Sequence, residues 1–141
     1  MSSLLTAAKQ AEFGRLRKNW DRIYIFVDLH STAILPDYKD KSQPIQMYPY
    51  AEDTLRLLTK RKDIILVMYT CSSLKTIDKY ITEFAALNIT FDYINENPEV
   101  TTSSSPYGNY DKKPYFNLLL DDKCGFEPDI DWLTLLNFYS Y

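Results

Sequence analysis

The hydrophobic pattern is dominated by short, continuous apolar runs. Ile23–Val27 is a run of five apolar or aromatic residues that stops at Asp28, and Ile64–Tyr69 is a second run of the same kind. Runs of this length predict buried strands, because both faces of such a strand are covered. Two further segments, each with one polar residue, predict a third, shorter strand at Phe91–Ile94 and a fourth strand at Phe116–Leu120.

Helical periodicity fills most of the remaining chain. The spacing predicts helices from about Tyr50 to Arg61, from about Leu74 to Leu87 and from about Ile130 to Phe138. Ser2 or Ser3 could cap a further helix at the start of the chain. We expect its loose apolar stripe either to pack on the core or to form a dimer contact, and the stripe consists of Leu4, Leu5, Ala8, Ala11, Phe13, Leu16 and Trp20.

The alternation of strands and helices predicts an α/β fold with a mostly parallel sheet. Residues 33–50 contain three prolines, which forbid a continuous helix and predict a flap or hairpin beside the end of the first strand. Residues 95–112 have turn chemistry, and a structureless loop of that length is usually functional or mobile. Neither segment is long enough for a cap domain. We therefore expect a helical extension over residues 1–22 and one α/β core over residues 23–141.

Composition narrows the classes of function. The 141 residues are 45% hydrophobic and 25% charged, as in an ordinary soluble domain. The net charge of −3 argues against a protein that coats nucleic acid. The sequence has no apolar run of about 18 residues, so we expect no membrane span. Its first residues lack the apolar core of a signal peptide, so we expect no such peptide. Cys71 and Cys124 have neither metal-ligand spacing nor a secretory context, so we expect a cytoplasmic protein.

Polar residues with phosphate chemistry lie at or near the ends of the predicted strands. Each has an ordinary explanation alone, because strand-end acids and hydroxyls often form turns or cap helices. Together, the carboxylates could hold Mg²⁺, and the hydroxyl and ammonium groups could contact phosphoryl oxygens. An Asp can also act as a nucleophile that forms an acyl phosphate. The residues are Asp28, Thr70 or Ser72, Lys112 or Lys113, Asp121 and Asp122.

The order of these motifs resembles the haloacid dehalogenase (HAD) superfamily. The resemblance is carried by Asp28-Leu29-His30-Ser31-Thr32, by Thr70, by Lys113-Pro114 and by Asp121-Asp122, and it covers the chain from Ile23 onward. It is closest to small phosphatase-like members without a cap. The family fold implies a three-layer, Rossmann-like sheet with the second and fourth strands on either side of the first. Response-regulator receiver domains use similar groups, but they have the acid pair early in the chain and the lysine after a late strand. In this chain the acid pair is late and the lysine precedes it.

The resemblance implies an Mg²⁺-dependent phosphate monoester phosphatase. Asp28 would be the nucleophile and a magnesium ligand, and His30 would supply a backbone carbonyl to the ion. Asp121 would complete the magnesium site, with Asp122 as a direct or water-mediated partner. The implied partner is a phosphorylated substrate, with nucleotides, sugar phosphates and phosphorylated polymers all open. Capless relatives tend to act on large substrates or to use a neighbouring subunit as a lid, so a homo-oligomer also stays open.

The remaining implied roles concern the phosphoryl group. Thr70 would bind its oxygens, with Ser72 as a second candidate. Lys113 would neutralise the nucleophile and the phosphate, with Lys112 as an alternative.

Position 30 departs from the family pattern, which has an Asp there as general acid/base, and usually a glycine where this chain has Ser31. An imidazole has an ordinary pKa near 6.5 and could carry the proton instead. The chain could also be a weak or non-hydrolytic relative that binds a phosphorylated ligand. A third interpretation is that His30 is structural, in a degenerate site kept for protein interaction. The sequence leaves these three interpretations open.

Overall fold

Four parallel strands form the central sheet. The computed structural model describes residues 3–36, 43–103 and 108–140. The strands are β1 (Ile23–Val27), β2 (Ile64–Met68), β3 (Tyr93–Ile94) and β4 (Leu118–Leu120), in the order β3-β2-β1-β4. Every pairing is parallel. The predicted α/β class and the predicted position of β1 between β2 and β4 are therefore confirmed.

The two edge strands are shorter than predicted, and their side chains give the reason. The Leu66 N–H donates to the Asp92 carboxylate (2.9 Å), and the Tyr24 N–H donates to the side-chain Oδ1 of Asn117 (2.7 Å). In each case the residue just before the edge strand accepts a hydrogen bond from the neighbouring strand through its side-chain oxygen. β3 and β4 therefore begin two residues later than their apolar runs suggest.

The four long helices of the described residues form one hydrophobic core with one face of the sheet. They are α1 (Ser3–Lys18), α2 (Ala51–Lys60), α3 (Leu74–Ala86) and α4 (Pro128–Tyr139), and a short 3₁₀ helix spans Asp122–Cys124. Trp132 is the largest fully buried side chain of this core. No helix in the described part of the chain is long and apolar enough to cross a membrane.

The first helix is only partly embedded in this core. It contacts α4, β1 and β4. Ala8 and Ala11 are its buried residues, whereas Phe13 and Leu16 are 61% and 74% exposed. Leu4 also packs against the core as a partly buried residue. The expected packing therefore holds for part of the stripe, and the alternative of a dimer contact stays a prediction.

The opposite face of the sheet is covered without a helix in the described ranges. Tyr24, Phe26, Ile65 and Val67 form a second apolar cluster. Val100, Tyr115 and Phe116 of the connection from β3 to β4 pack on it, together with the strand residues Tyr93 and Leu119. The described parts of this connection thus cover the face that a crossover helix would otherwise cover. We find no separate cap domain within the described residues.

The base of the predicted hairpin is confirmed. Ile34 and Met47 form an antiparallel bridge, and the Leu35 N–H donates to the Gln46 carbonyl at 2.7 Å. Residues 37–42 of the predicted hairpin lie outside the described ranges. The hairpin begins directly after the loop that follows β1, so it adjoins the carboxyl edge of the sheet.

Candidate functional site

The sheet register brings the ends of three strands together. Val27 pairs with Leu120 on one side and with Met68 on the other. The Asp28 N–H donates to the Leu120 carbonyl, and the Tyr69 N–H donates to the Val27 carbonyl, both at 2.9 Å. The residues that follow β1, β2 and β4 therefore leave the sheet at one edge, which is where open α/β sheets bind ligands.

Asp28, Asp121 and Asp122 form an acidic cluster at this edge. Each contributes one carboxylate oxygen, and the three oxygens all lie within 4.8 Å of one another. The three residues are partly buried, so water screens their mutual repulsion incompletely. Hard oxygen ligands at this spacing suit a divalent cation such as Mg²⁺. The predicted metal ligands Asp28, Asp121 and Asp122 are thus brought together.

Thr32 connects two of these carboxylates and was missed as a site residue. Its side chain is fully buried, and its hydroxyl lies 3.1 Å from Asp28 Oδ2 and 3.0 Å from Asp122 Oδ1. The Asp122 N–H donates to the same hydroxyl at 2.9 Å, and the indole of Trp132 donates to the Thr32 carbonyl at 2.7 Å. The sequence shows only that a threonine lies four residues after the strand-end acid Asp28. Its contact with Asp122, 90 residues away, follows from the fold.

A tight turn places Thr32 beside Asp28. The Leu29 carbonyl accepts hydrogen bonds from the N–H groups of Thr32, Ala33 and Ile34 at 2.9 to 3.1 Å. Ser31 has a φ of 66°, in the left-handed region that favours glycine. Position 31, where the resembled family usually has glycine, therefore has a backbone conformation that glycine adopts more easily than other residues do.

The surroundings raise the pKa of Asp28 to about 6. Burial is the main cause, and the negative charge of Asp121 adds to it, whereas the hydrogen bond from Thr32 lowers the pKa. Neither Lys112 nor Lys113 is among the principal groups that act on this carboxyl. In the metal-free protein, Asp28 therefore takes up a proton at a pH well above that of an ordinary aspartate.

Thr70 and Ser72 lie together after β2. Thr70 is 9% exposed, and its hydroxyl lies 3.0 Å from the Ser72 hydroxyl and accepts the Ser72 N–H at 3.2 Å. The Thr70 N–H donates to Oδ1 of Asn95 at 2.7 Å, so the residue after β3 fixes the position of Thr70. Sequence reasoning missed Asn95, whose φ of 58° lies in the region that Asn tolerates better than most residues.

The His30 side chain does not join the acidic cluster. Its Nε2 lies 2.7 Å from the Tyr80 hydroxyl, and the two rings meet edge to face at 5.6 Å. His30 also lines a cavity of about 560 Å³ between the hairpin and α3. We call this space the hairpin cavity. Its described wall also includes residues 34–36, residues 43–46 and three residues of α3, which are Thr76, Lys79 and Tyr80.

The predicted lysines are not brought onto the cluster either. The Lys113 ammonium lies 5.8 Å from the centroid of the Phe116 ring, and Lys112 and Lys113 are both exposed. Phe116 belongs to the apolar cluster on the opposite face of the sheet. The structure thus assembles the carboxylate and hydroxyl parts of the predicted site, and it holds the imidazole and the ammonium in other contacts.

Comparison with known proteins identifies the fold but no family. No family model matches the chain, and no curated protein matches it. A solved structure of a conserved protein coded by a locus from Bacteroides thetaiotaomicron is similar, with a TM-score of 0.62 and 22% identity. The match covers 84% of this chain and 90% of that one. At this identity the similarity supports the α/β fold alone.

Proposed function

We propose that this protein is an Mg²⁺-dependent phosphohydrolase that acts on phosphate monoesters through an aspartyl phosphate on Asp28. The observation that carries the proposal is the cluster of Asp28, Asp121 and Asp122 at the carboxyl edge of the sheet. The paired hydroxyls of Thr70 and Ser72 follow the neighbouring strand at the same edge.

The residues divide the reaction between them. One oxygen of Asp28 would attack the phosphorus atom, and the bond from phosphorus to the leaving alcohol would break as the alcohol takes up a proton. Water would then attack the phosphorus atom, releasing inorganic phosphate and the Asp28 carboxylate. Asp28, Asp121 and Asp122 would hold Mg²⁺, which offsets the charge of the phosphoryl group. Thr70 and Ser72 would donate hydrogen bonds to the phosphoryl oxygens.

The proton for the leaving group would come from His30. The imidazole lines the hairpin cavity, and the Tyr80 hydroxyl lies within hydrogen-bond distance of it. An ester bound at Asp28 with its leaving group toward this cavity would receive the proton there. In this role the ring need not touch Asp28, because the proton goes to the departing oxygen rather than to the nucleophile.

A second candidate is a non-catalytic module of the same fold that binds a phosphorylated ligand or a protein. Two contacts favour it: the hydrogen bond of His30 to Tyr80 and the position of Lys113 over Phe116. Neither group contacts the acidic cluster, so the two candidates differ in turnover rather than in the binding of a phosphoryl group.

An assay of p-nitrophenyl phosphate hydrolysis with Mg²⁺ tests the first candidate. We expect Asp28→Asn to lose activity and Asp78→Asn, at an exposed position on α3, to retain it. Equal activity of Asp28→Asn and the wild type would exclude Asp28 as the nucleophile. A rise in melting temperature with Mg²⁺ and beryllium fluoride, without turnover of any ester, would favour the non-catalytic module.

A further inference from the structure

The hairpin cavity has the size and walls of a small-molecule site. Its volume of about 560 Å³ lies within the range of about 300–1,000 Å³ that is usual for ligand sites. Its apolar lining residues are Ile34, Leu35, Pro36, Pro44 and Ile45. Aliphatic and proline side chains offer flat, non-polar contacts, which suit the faces of a planar ring.

The cavity lies within reach of the acidic cluster. His30 lines it, and His30 follows Asp28 by only two residues, so the Cα atoms of the two residues are at most about 7 Å apart. One ligand can therefore be long enough to place a phosphoryl group at Asp28 and its organic part in the cavity.

The described lining of the cavity favours an uncharged group over a second anionic group. Lys79 is the only Lys or Arg among its described lining residues, and its ammonium lies 2.9 Å from the Glu83 carboxylate. The same ammonium donates to the Gln43 carbonyl at 2.9 Å. Since Glu83 already neutralises Lys79, the described part of the cavity wall suits an uncharged group.

Polar groups for the edge of such a ring are also present. Gln43, Gln46 and Thr76 are among the lining residues, and amide side chains both donate and accept hydrogen bonds. His30 and Tyr80 add an imidazole and a phenol on the wall formed by α3 and the loop after β1. Apolar faces with mixed donors and acceptors at the edges match a nucleobase better than a sugar, whose hydroxyl groups need polar partners all round.

We propose that the hairpin cavity binds the nucleoside of a nucleoside monophosphate while its phosphate lies at the acidic cluster. This inference rests on the proposed function for the position of the phosphate. It also differs from the expectation that a capless protein acts on large substrates, because the hairpin cavity has room for a nucleoside without a cap.

Binding measurements with Mg²⁺ test the inference without requiring turnover. We compare adenosine and uridine 5′-monophosphates, glucose 6-phosphate and inorganic phosphate by isothermal titration calorimetry. We expect at least one nucleoside monophosphate to bind the wild type at least about tenfold more tightly than inorganic phosphate or glucose 6-phosphate. We expect Thr76→Trp and Gln46→Trp, which fill the cavity from opposite walls, to remove this preference. We expect Thr82→Trp, at an exposed position of α3, to keep this preference.

The outcomes separate this inference from the proposed function. A preference for nucleoside monophosphates that persists in Asp28→Asn supports the cavity as a nucleoside site. If the wild type also hydrolyses no ester, the catalytic proposal alone fails. Hydrolysis without any preference for nucleoside monophosphates keeps the catalytic proposal and overturns the inference. The inference is also overturned if the preference survives both cavity-filling variants, or if glucose 6-phosphate binds as tightly as both nucleotides.

Discussion

Thr32 and Asp122 are joined by two contacts across 90 residues of sequence. The Asp122 N–H donates to the Thr32 hydroxyl at 2.9 Å, and the same hydroxyl lies 3.0 Å from Asp122 Oδ1. Because Asp28 Oδ2 lies 3.1 Å from this hydroxyl as well, one buried threonine holds the carboxyl ends of β1 and β4 in a fixed relation. The acidic cluster therefore depends on a residue that bears no charge.

Thr32→Val should weaken both the fold and the metal site. The valine keeps the shape but leaves the Asp122 N–H without its acceptor, which costs about 1–3 kcal/mol in the free energy of unfolding. We expect the affinity for Mg²⁺ to fall by about tenfold, because the carboxylates lose their shared support. Urea unfolding and calorimetric titration with Mg²⁺ measure the two effects. Thr32→Ser keeps the hydroxyl and is the control; equal losses in both variants would mean that packing, rather than the hydrogen bonds, is responsible.

The pKa of Asp28 makes the stability of the metal-free protein depend on pH. Its folded value of about 6 lies above the ordinary value of 3.8, so the folded state binds more protons than the unfolded state between these pH values. The contribution of Asp28 to the free energy of unfolding is therefore fully present below about pH 4 and is lost as the pH rises through about 6. Urea unfolding in EDTA across this range measures the loss.

Asp28→Asn serves as the matched variant for this measurement, since its amide does not titrate. We expect its stability to change less than that of the wild type between pH 4 and 6. An equal decline in both proteins would assign the pH dependence to other groups.

Binding of Mg²⁺ should have the opposite dependence on pH. A proton on Asp28 competes with the ion for the same oxygen, so the affinity for Mg²⁺ should rise with pH. Below pH 6 the rise should approach about tenfold per pH unit, and it should level off above about pH 7. Calorimetric titration at pH 5, 6 and 7.5 checks this expectation. An affinity that stays constant over this range would mean that the ion does not use Asp28.

The role of His30 can be tested through the leaving group of the substrate. A general acid matters most when the departing oxygen is basic, so His30→Gln should lower kcat for an alkyl phosphate by about 10²–10⁴-fold. For p-nitrophenyl phosphate, whose leaving group is already weakly basic, the loss should be much smaller. Tyr80→Phe, which removes the hydroxyl that orients the ring, should also lower kcat more for the alkyl phosphate than for p-nitrophenyl phosphate, but by a smaller factor than His30→Gln. Equal losses for both substrates would contradict proton donation by His30.

The parts of the molecule that were predictable from sequence depend on continuous local patterns. β1 and β2 are apolar over their whole length, so their positions and the strand-end residues Asp28 and Thr70 follow directly. The edge strands were predicted too long because the pattern does not reveal which Asx side chain will bond the neighbouring strand, as Asp92 and Asn117 do. The stripe on α1 was overestimated because burial depends on where α4 packs.

The site was predictable to the extent that its residues follow strands. Asp28, Asp121 and Asp122 converge because parallel register places their strand ends at one edge. The contact of His30 with Tyr80 spans 50 residues and depends on how α3 packs beside the hairpin, which local sequence does not encode. Thr32 was missed for a related reason, since its partner Asp122 lies 90 residues away.

Glu99 provides a test of the layer that covers the second face of the sheet. Its carboxylate accepts hydrogen bonds from Arg22 (2.9 Å), from the Tyr24 hydroxyl (3.2 Å) and from the Tyr93 hydroxyl (2.6 Å). These bonds tie the connection between β3 and β4 to β1 and β3. Burial acts to raise the pKa of Glu99, but the hydrogen bonds from Tyr93 and Arg22 and the charge of Arg22 outweigh it and lower the pKa. Glu99→Ala removes the acceptor for three donors, so we expect a loss of about 2–4 kcal/mol in the free energy of unfolding.

The exposed neighbour Glu96 supplies the control for this change, because Glu96→Ala alters the same loop without touching the network. Urea unfolding of both variants measures the difference. Hydrogen exchange adds a spatial readout: in Glu99→Ala, faster exchange should be confined to the connection after β3 and to its contacts on the sheet. Unchanged stability in Glu99→Ala would mean that the apolar contacts of Val100, Tyr115 and Phe116 hold this layer alone. In that case the carboxylate would only orient Tyr24 and Tyr93, since the packing on Phe26 and Val67 would suffice to cover the sheet.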